Sequence, residues 1–473
     1  MSEKKLKKGI SLCMIVKNEE RSLSRTLESV KGFVNEIIIV DTGSTDNTVE
    51  IANHFNARVY HFKWVDDFSK ARNESIKYAK YSWILILDAD EVIDEDSFKN
   101  VKKTLNNQKT PFALQCRIVS DSGESSFNES RVVRIFSNGF GLHFKNKVHE
   151  QLTSSIQKTN TNILRSNFKI LHDGYNDMFV DQKKKQERNI YLLKKMINKE
   201  PDFYYWPYNL GISYMAINEN EKAIKYLQKA YSEKLENTIK AAILNLLASI
   251  YRITNDWQKV YEHASNSLKI EQNQFLGYLL MIYYYNEKKE YNNSINVIDN
   301  VIGSYRKLIK DGSNLNNDIT LTLPYLYRLK ALALHGQKDY KSSYDYFKKV
   351  LDELKGSHSK NLLNSQEKSL FEDTLRSIIG CARDMEDPDK VISNLKIYLG
   401  INKNDFEGYK LLGEAYVIKN NYSEALKAYL QADSIVPNIF DVQKKIASMF
   451  TMLGNEKKAQ EWLFKMAGIS PNA

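Results

Sequence analysis

The sequence predicts a chain in two parts, a mostly parallel α/β domain followed by an all-α array of helical repeats. Three observations predict it. Apolar runs of strand length alternate with stretches of helical period up to Leu87. After Gly174 strand signals vanish, and apolar residues recur at helical spacing to the C-terminus. Within that second part, a set of small and large residues returns every 34 positions. The expected boundaries are 1–178 for the α/β domain, 179–203 for a connecting helix or leading half-repeat, and 204–473 for the array.

In the first part, Ile10–Val16 reads as a strand and Glu19–Lys31 as a helix with Leu23, Leu27 and Val30 on one face. Glu36–Val40 is a second buried strand. Thr45–Phe55 reads as a helix with Ser44 or Thr45 as N-cap. Arg58–His61 is a short strand, Phe68–Ala79 a helix and Ser82–Leu87 a strand. This β-α-β-α-β order implies parallel strands with right-handed crossovers. From Pro111 to His172 the pattern turns to short strands such as Ala113–Val119 and Arg131–Phe136.

The array is carried by repeated spacing. Leu412-Gly413, Tyr416, Ala425, Tyr429, Ala432 and Pro437 form one copy. Ile446-Ala447, Phe450, Ala459, Leu463 and Pro471 repeat it, and Leu210-Gly211, Tyr214, Ala223, Leu227 and Ala230 give another. Small residues let paired helices approach, while large ones fill the groove between them. Weaker units occupy Leu247–Ser267, Tyr284–Val301 and Lys330–Val350, and Gly380–Leu395 is degenerate. Asp311–Asp318 reads as a loop, and Asp181–Pro201 as the second helix of a half-repeat.

Composition bounds the function. A length of 473 residues with 42% hydrophobic and 27% charged residues is globular and too long for one core. The net charge of +10 comes from 68 basic residues scattered among 58 acidic ones, with no basic helix or aromatic RNA-binding signature. Nucleic acid is therefore not an expected partner; an acidic substrate or an anionic surface is. Three separated cysteines, Cys13, Cys116 and Cys381, read as reduced buried thiols. No segment is long and apolar enough to span a bilayer, and the expected location is cytoplasmic.

The chemistry gathers where strands end. The apolar run Trp83–Leu87 stops at Asp88-Ala89-Asp90. On an extended backbone the i, i+2 spacing puts both carboxylates on one side, at the edge where open α/β sheets collect ligands. Two hard oxygen donors there suit Mg²⁺ or Mn²⁺ on a substrate's phosphates; a solvated acidic turn is the plain alternative. The first strand ends in Lys17-Asn18-Glu19 and the second in Asp41-Thr42-Gly43-Ser44-Thr45-Asp46. Arg72 follows Asp67-Phe68-Ser69 and could bind phosphate or lie solvated behind a helix cap. His143, His149 and His172, three of the eight histidines, fall within 30 residues, near Glu150. An imidazole there could complete a metal shell.

Val16-Lys17-Asn18-Glu19, Asp41–Asp46 and Asp88-Ala89-Asp90 resemble the successive motifs of family 2 glycosyltransferases, over roughly residues 9–175. The resemblance implies the GT-A fold, a Rossmann-like and mostly parallel α/β sheet. The later repeats look like a tetratricopeptide-repeat solenoid. The Phe68–Asn73, Val148–Glu150 and His172–Tyr175 segments resemble the subgroup joined to such repeats. That subgroup includes the glycocin glycosyltransferases of the sublancin type, which modify Cys or Ser of a precursor peptide.

The family implies a UDP-sugar donor, a divalent metal (Mg²⁺ or Mn²⁺) and inversion at the anomeric carbon. On this chain Asp41 would hold uracil, with Asn18 or Glu19 beside it. Asp88 would contact the ribose, Asp90 would ligate the metal, and Arg72 or Arg134 would offset charge on the departing UDP. Glu150 is the implied base and His172 the implied metal-binding histidine, with His149 competing for both roles. The chain lacks a plain Glu-Asp base motif and a Gln-x-x-Arg-Trp acceptor motif. A peptide or protein acceptor is expected, the repeats aiding its binding, and a homodimer is compatible with the array. Two readings stay open: an enzyme acting on surface polysaccharide or another protein, and a nucleotide-sugar-binding adaptor without turnover.

Overall fold

The computed structural model describes residues 6–107, 111–120, 128–172, 178–311, 322–358 and 365–467. The elements run β1 (Lys7–Val16), α1 (Leu23–Ser29), β2 (Glu36–Asp41), α2 (Thr48–His54), β3 (Arg58–His61), α3 (Phe68–Lys77) and β4 (Tyr81–Ile86). They continue with β5 (Glu91–Ile93), α4 (Glu95–Asn107), β6 (Phe112–Ser120), β7 (Asn128–Ser137), α5 (Thr153–Lys158) and β8 (Asn162–His172). The eight strands form one sheet in the order β3-β2-β1-β4-β7-β6-β8-β5. The β3-β2-β1-β4 half is parallel, as the β-α-β order requires. The later strands join it through antiparallel β4–β7 and β6–β7 pairs and a parallel β6–β8 pair.

Both faces of the parallel half are buried, which is why its strands are near-continuous apolar runs. Leu12, Met14, Ile39, Leu85 and Leu87 point to one face, where Leu23, Leu27, Ala52, Phe98 and Val101 of α1, α2 and α4 cover them. Cys13, Ile38, Ile84 and Ile86 point to the other, beneath Ile76 of α3 and Ile156 of α5. Burial of both faces fixes register, because a slip of one residue would exchange the two sets.

Three expectations need correction. The helix after Asp41 starts at Thr48, not Thr45, and Asn47 precedes it without a side-chain cap. Ser44 and Thr45 bond to Asn18 instead. Asp88-Ala89-Asp90 is not extended. The Glu91 N–H donates to the Asp88 carbonyl at 3.1 Å, closing a turn that sends the two carboxylates to different partners. Between Pro111 and His172 the strands are longer than expected, β6 spanning 9 residues, β7 10 and β8 11.

The described residues that follow are helical: α6 (Met178–Lys199), α7 (Tyr205–Ala216), α8 (Asn220–Ala230), α9 (Asn237–Ile253), α10 (Trp257–Ile270), α11 (Phe275–Glu287) and α12 (Tyr291–Asp311). After them come α13 (Leu323–Gly336), α14 (Tyr340–His358), α15 (Ser365–Asp384), α16 (Pro388–Ile401), α17 (Phe406–Ile418), α18 (Tyr422–Ile435), α19 (Phe440–Met452) and α20 (Glu456–Ala467). The 34-residue pattern falls on helix pairs. An added Cβ at Gly211 would lie 2.7 Å from Leu227, and one at Gly413 would lie 2.5 Å from Tyr429. Each glycine therefore allows its helix to meet the large residue of the next.

The turns inside the pairs repeat too. Asn218, Asn255, Lys289, Lys338, Glu386, Asn420 and Gly454 all take positive φ at the same point, just before the second helix. Asp256, Asp387 and Asn421 then cap that helix with a side-chain acceptor. The degenerate Gly380–Leu395 stretch follows this rule, so α15 and α16 form a pair like the others. The expected 311–318 loop and Pro471 lie outside the described residues, apart from Asp311 at the end of α12. The chain divides into two compact units, one built on Met1–Met281 and the other on Ile282–Ser313 with Leu321–Ala473. No described helix is long and apolar enough to cross a membrane. All three cysteines are buried and free.

Candidate functional site

The tips of β1 and β2 are laced into one rigid corner. Asn18 turns into the left-handed region at φ 57°, and its N–H donates to Ser44 Oγ at 3.0 Å. Its side-chain oxygen accepts from the Thr45 N–H at 2.8 Å. The Glu19 N–H donates to Thr48 Oγ1 at 2.7 Å. Asp41, buried at the end of β2, accepts from the Ser44 and Gly43 N–H groups at 3.0 and 3.3 Å. His61 Nδ1 lies 3.2 Å from its Oδ2. Burial would raise the Asp41 carboxyl, but the bonds from Ser44, His61 and Gly43 outweigh it and hold the group below its ordinary range.

Beside this corner lies an ionic network around Asp88. Arg72, only 7% exposed on α3, donates to Asp88 Oδ1 at 2.7 Å and through Nε to Glu150 Oε1 at 2.6 Å. Arg134 of β7 donates to Asp88 Oδ2 at 3.0 Å and also pairs with Glu91. Burial opposes a charged Asp88, yet the two guanidiniums hold its carboxyl far below the usual range. One nitrogen of each arginine, Arg72 Nη1 and Arg134 Nε, is buried with no protein partner. Two strong donors are thus left over in a half-buried site.

Asp90 faces the other way. His172, the last residue of β8, brings Nε2 to 3.2 Å from Asp90 Oδ2, and both side chains are about a third exposed. Bonding to Asp90 raises His172, and burial only partly opposes this. Burial raises Glu19, and the charges of Asp90 and Asp88 add to that after Ser22 lowers it. His149 stands apart from this pair. It sits at φ 52°, its Nε2 is buried without a partner, and burial lowers its pKa, so the ring is neutral near pH 7.

The structure therefore unites Asp88, Arg72, Arg134 and Glu150 in one network. It pairs Asp90 with His172 rather than with His149, and gathers Asn18, Glu19 and Asp41 at the neighbouring corner. Arg72 is no solvated side chain. Sequence reading does not single out Glu91, which is 1% exposed and accepts from the Asp88 N–H at 2.9 Å. Nor does it single out His61. Neither carries a signal in the chain, because each acts only through a partner that folding brings near. Asp173, Gly174 and Tyr175 lie outside the described residues.

For a divalent ion, the chemistry of the donors fits in part. One carboxylate and one imidazole converge at Asp90 and His172, while both Asp88 oxygens are held by arginine. No group of three potential protein ligands occurs among the described residues. Such a pair suits an ion that takes its remaining ligands from phosphate and water.

A corner of backbone turns, a turn with two acids and buried arginines gather at a parallel sheet's carboxyl edge, the place where open α/β sheets collect ligands. Residues 11–176 match the model of glycosyl transferase family 2. The N-terminal domain is thus a family 2 glycosyltransferase domain. Glycosyltransferase SunS of Bacillus phage SPbeta is 31% identical over 226 residues, 47% of this chain and 53% of that protein. A TPR repeat-containing protein of Synechococcus elongatus is 31% identical over 254 residues, 52% and 62% of the two chains. The poly-beta-1,6-N-acetyl-D-glucosamine synthase of Staphylococcus epidermidis is 40% identical over 104 residues, 20% and 25%. The chain spans about half the length of the first of these relatives.

Proposed function

We propose that the protein is an inverting glycosyltransferase that moves a hexose from a UDP-sugar to a Cys or Ser side chain of a peptide. The observation that carries this reading is the Asp88 network beside the Asp90–His172 pair, set in a domain that matches the family 2 model. The nucleotide would lie on the corner made by Asn18, Glu19 and Asp41. Asp41 already accepts from two N–H groups and faces His61, which leaves it little free capacity and a fixed direction for a uracil N–H. Asp88, locked by two arginines, would meet the ribose.

Breaking the sugar–phosphate bond builds negative charge on the departing diphosphate. Arg72 and Arg134, fixed on either side of Asp88 and each with one nitrogen lacking a protein partner, would supply positive charge to offset it. Asp90 and His172 would hold Mg²⁺ or Mn²⁺, which when bound acts as a Lewis acid toward phosphate oxygens. The acceptor approaches from the opposite face of the sugar. Arg72 binds Glu150 through Oε1, so Oε2 is the atom through which Glu150 would take the acceptor's proton. A thiol needs less of this help, since a pKa of about 8.5 leaves a few per cent as thiolate at neutral pH.

The resemblance to the glycocin enzymes supports a peptide acceptor. The likeness to a polysaccharide synthase over 104 residues favours a second reading, a saccharide acceptor. Mass spectrometry after incubation with UDP-hexoses tests both. Cys- or Ser-containing peptides should gain a hexose, and oligosaccharides should not. Extension of oligosaccharides alone would replace the first reading with the second.

A further inference from the structure

Helices α6 and α7 follow the family 2 domain in the chain, yet they return to its site. Lys195 Nζ lies 3.4 Å from Asp66 Oδ2. Arg188 stacks its guanidinium over Phe68, with Cζ 4.8 Å from the ring centre. The Phe68 N–H in turn donates to the Lys147 carbonyl at 2.9 Å, in the loop that carries Glu150. Tyr205 of α7 donates its hydroxyl to the His149 carbonyl at 2.8 Å in that same loop. Burial pushes the Tyr205 phenol up to about 12, so it stays a donor at neutral pH. Lys185 and Arg188, three residues apart, share a face of α6. The Lys185 charge reaches Glu19, Asp90 and His172, and the Glu150 charge reaches Arg188.

The site is rich in carboxylates. Glu19, Asp88, Asp90, Glu91 and Glu150 bring five carboxylates together, while Arg72 and Arg134 bring two positive charges already bound to three of them. Beside Lys185, His172 and a bound divalent ion, Arg188 would add to the positive charge that offsets these carboxylates where a diphosphate enters. Arg188 forms no ion pair with a described residue, and its contact with the Phe68 ring leaves its positive charge without a paired anion.

We propose that Arg188, on a helix outside the family 2 match, belongs to the donor site and binds the diphosphate of the nucleotide sugar. This rests on the glycosyltransferase reading. It makes α6 a wall of the site rather than a connector to the repeats. Phe68 gives the exposed guanidinium one flat contact, and the Lys195–Asp66 pair ties α6 to the residues that precede α3.

The test titrates UDP and uridine, with Mg²⁺ present, into the full chain and its Arg188→Ala and Arg188→Lys variants. UDP affinity should fall roughly tenfold or more in Arg188→Ala, the range of a charge-assisted hydrogen bond. Uridine affinity should not change, and Arg188→Lys should recover part of the loss. Unchanged UDP affinity in Arg188→Ala overturns the inference alone. Equal loss for UDP and uridine means a structural role and also overturns it. Failure of the unaltered chain to bind UDP overturns the donor reading, and the inference with it.

Discussion

Asp88 and Asp90 stand two residues apart and meet different partners because a turn separates them. Asp88 is enclosed by Arg72 and Arg134; Asp90 opens toward His172. Asp90→Ala removes the carboxylate that would meet a metal and leaves β4 intact. Transfer should fall by orders of magnitude with the folded state retained, and EDTA should have the same effect; full activity in EDTA would remove the metal from the account. His172→Ala should weaken Mn²⁺ binding, whereas Glu150→Ala should leave it intact and lower turnover. A metal defect in His149→Ala but not in His172→Ala would reverse the assignment.

Asp41 yields a pH dependence at the same scale. Its folded pKa lies below the unfolded value of about 3.8, so the stability it contributes is present above that value. That stability is lost as pH falls through the folded pKa. Denaturation of Asp41→Asn should show a less stable protein at neutral pH. The gap should close in acid below about pH 4, and a gap that persists unchanged there would mean that charge is not what Asp41 contributes.

Among the elements, helix pairs depend on the glycine that admits a large neighbour. Gly413→Val places atoms within 2.5 Å of the Tyr429 ring, inside a closed α17–α18 contact. Overpacking of this kind costs about 1–3 kcal/mol. A denaturation midpoint within error of the unaltered chain would show that the pair can separate freely. This pairing was legible because it writes itself into the sequence as a period. The parallel strands were legible for a similar reason, since burial on both faces demands apolar runs. Helix α4 carried its signal, Phe98, Val101 and Leu105 at helical spacing, but among many charges. β8 did not: its first half is mostly exposed, and only Phe168 and Ile170 are buried. The site was legible as a list of residues at strand ends. Its wiring was not, because Arg72 meets partners 16 and 78 residues away, and the turn at Asp88 depends on a backbone bond that no side-chain pattern announces.

On the scale of the molecule, the repeats are proposed to recruit the acceptor. Tethering a peptide beside the sugar raises its effective concentration toward the millimolar range without new contacts at the reacting atom. A head cut after Tyr175 would lose Arg188, Lys195 and Tyr205, so the informative truncation keeps the compact unit Met1–Met281. It should bind UDP and slowly hydrolyse donor while losing most transfer to a full-length peptide. Transfer as efficient as that of the whole chain would leave the remaining repeats without a part in recognition.

Group transfer itself is the most direct readout of the proposed activity. The full chain, Mg²⁺ or Mn²⁺, a panel of UDP-hexoses and a Cys- and Ser-containing peptide are incubated, and the peptide is weighed by mass spectrometry. A gain of one hexose or more on Cys or Ser is expected with the unaltered chain and none with Asp90→Ala. UDP binding without transfer to any acceptor and without donor hydrolysis would contradict it, and would make the domain a nucleotide-sugar-binding adaptor.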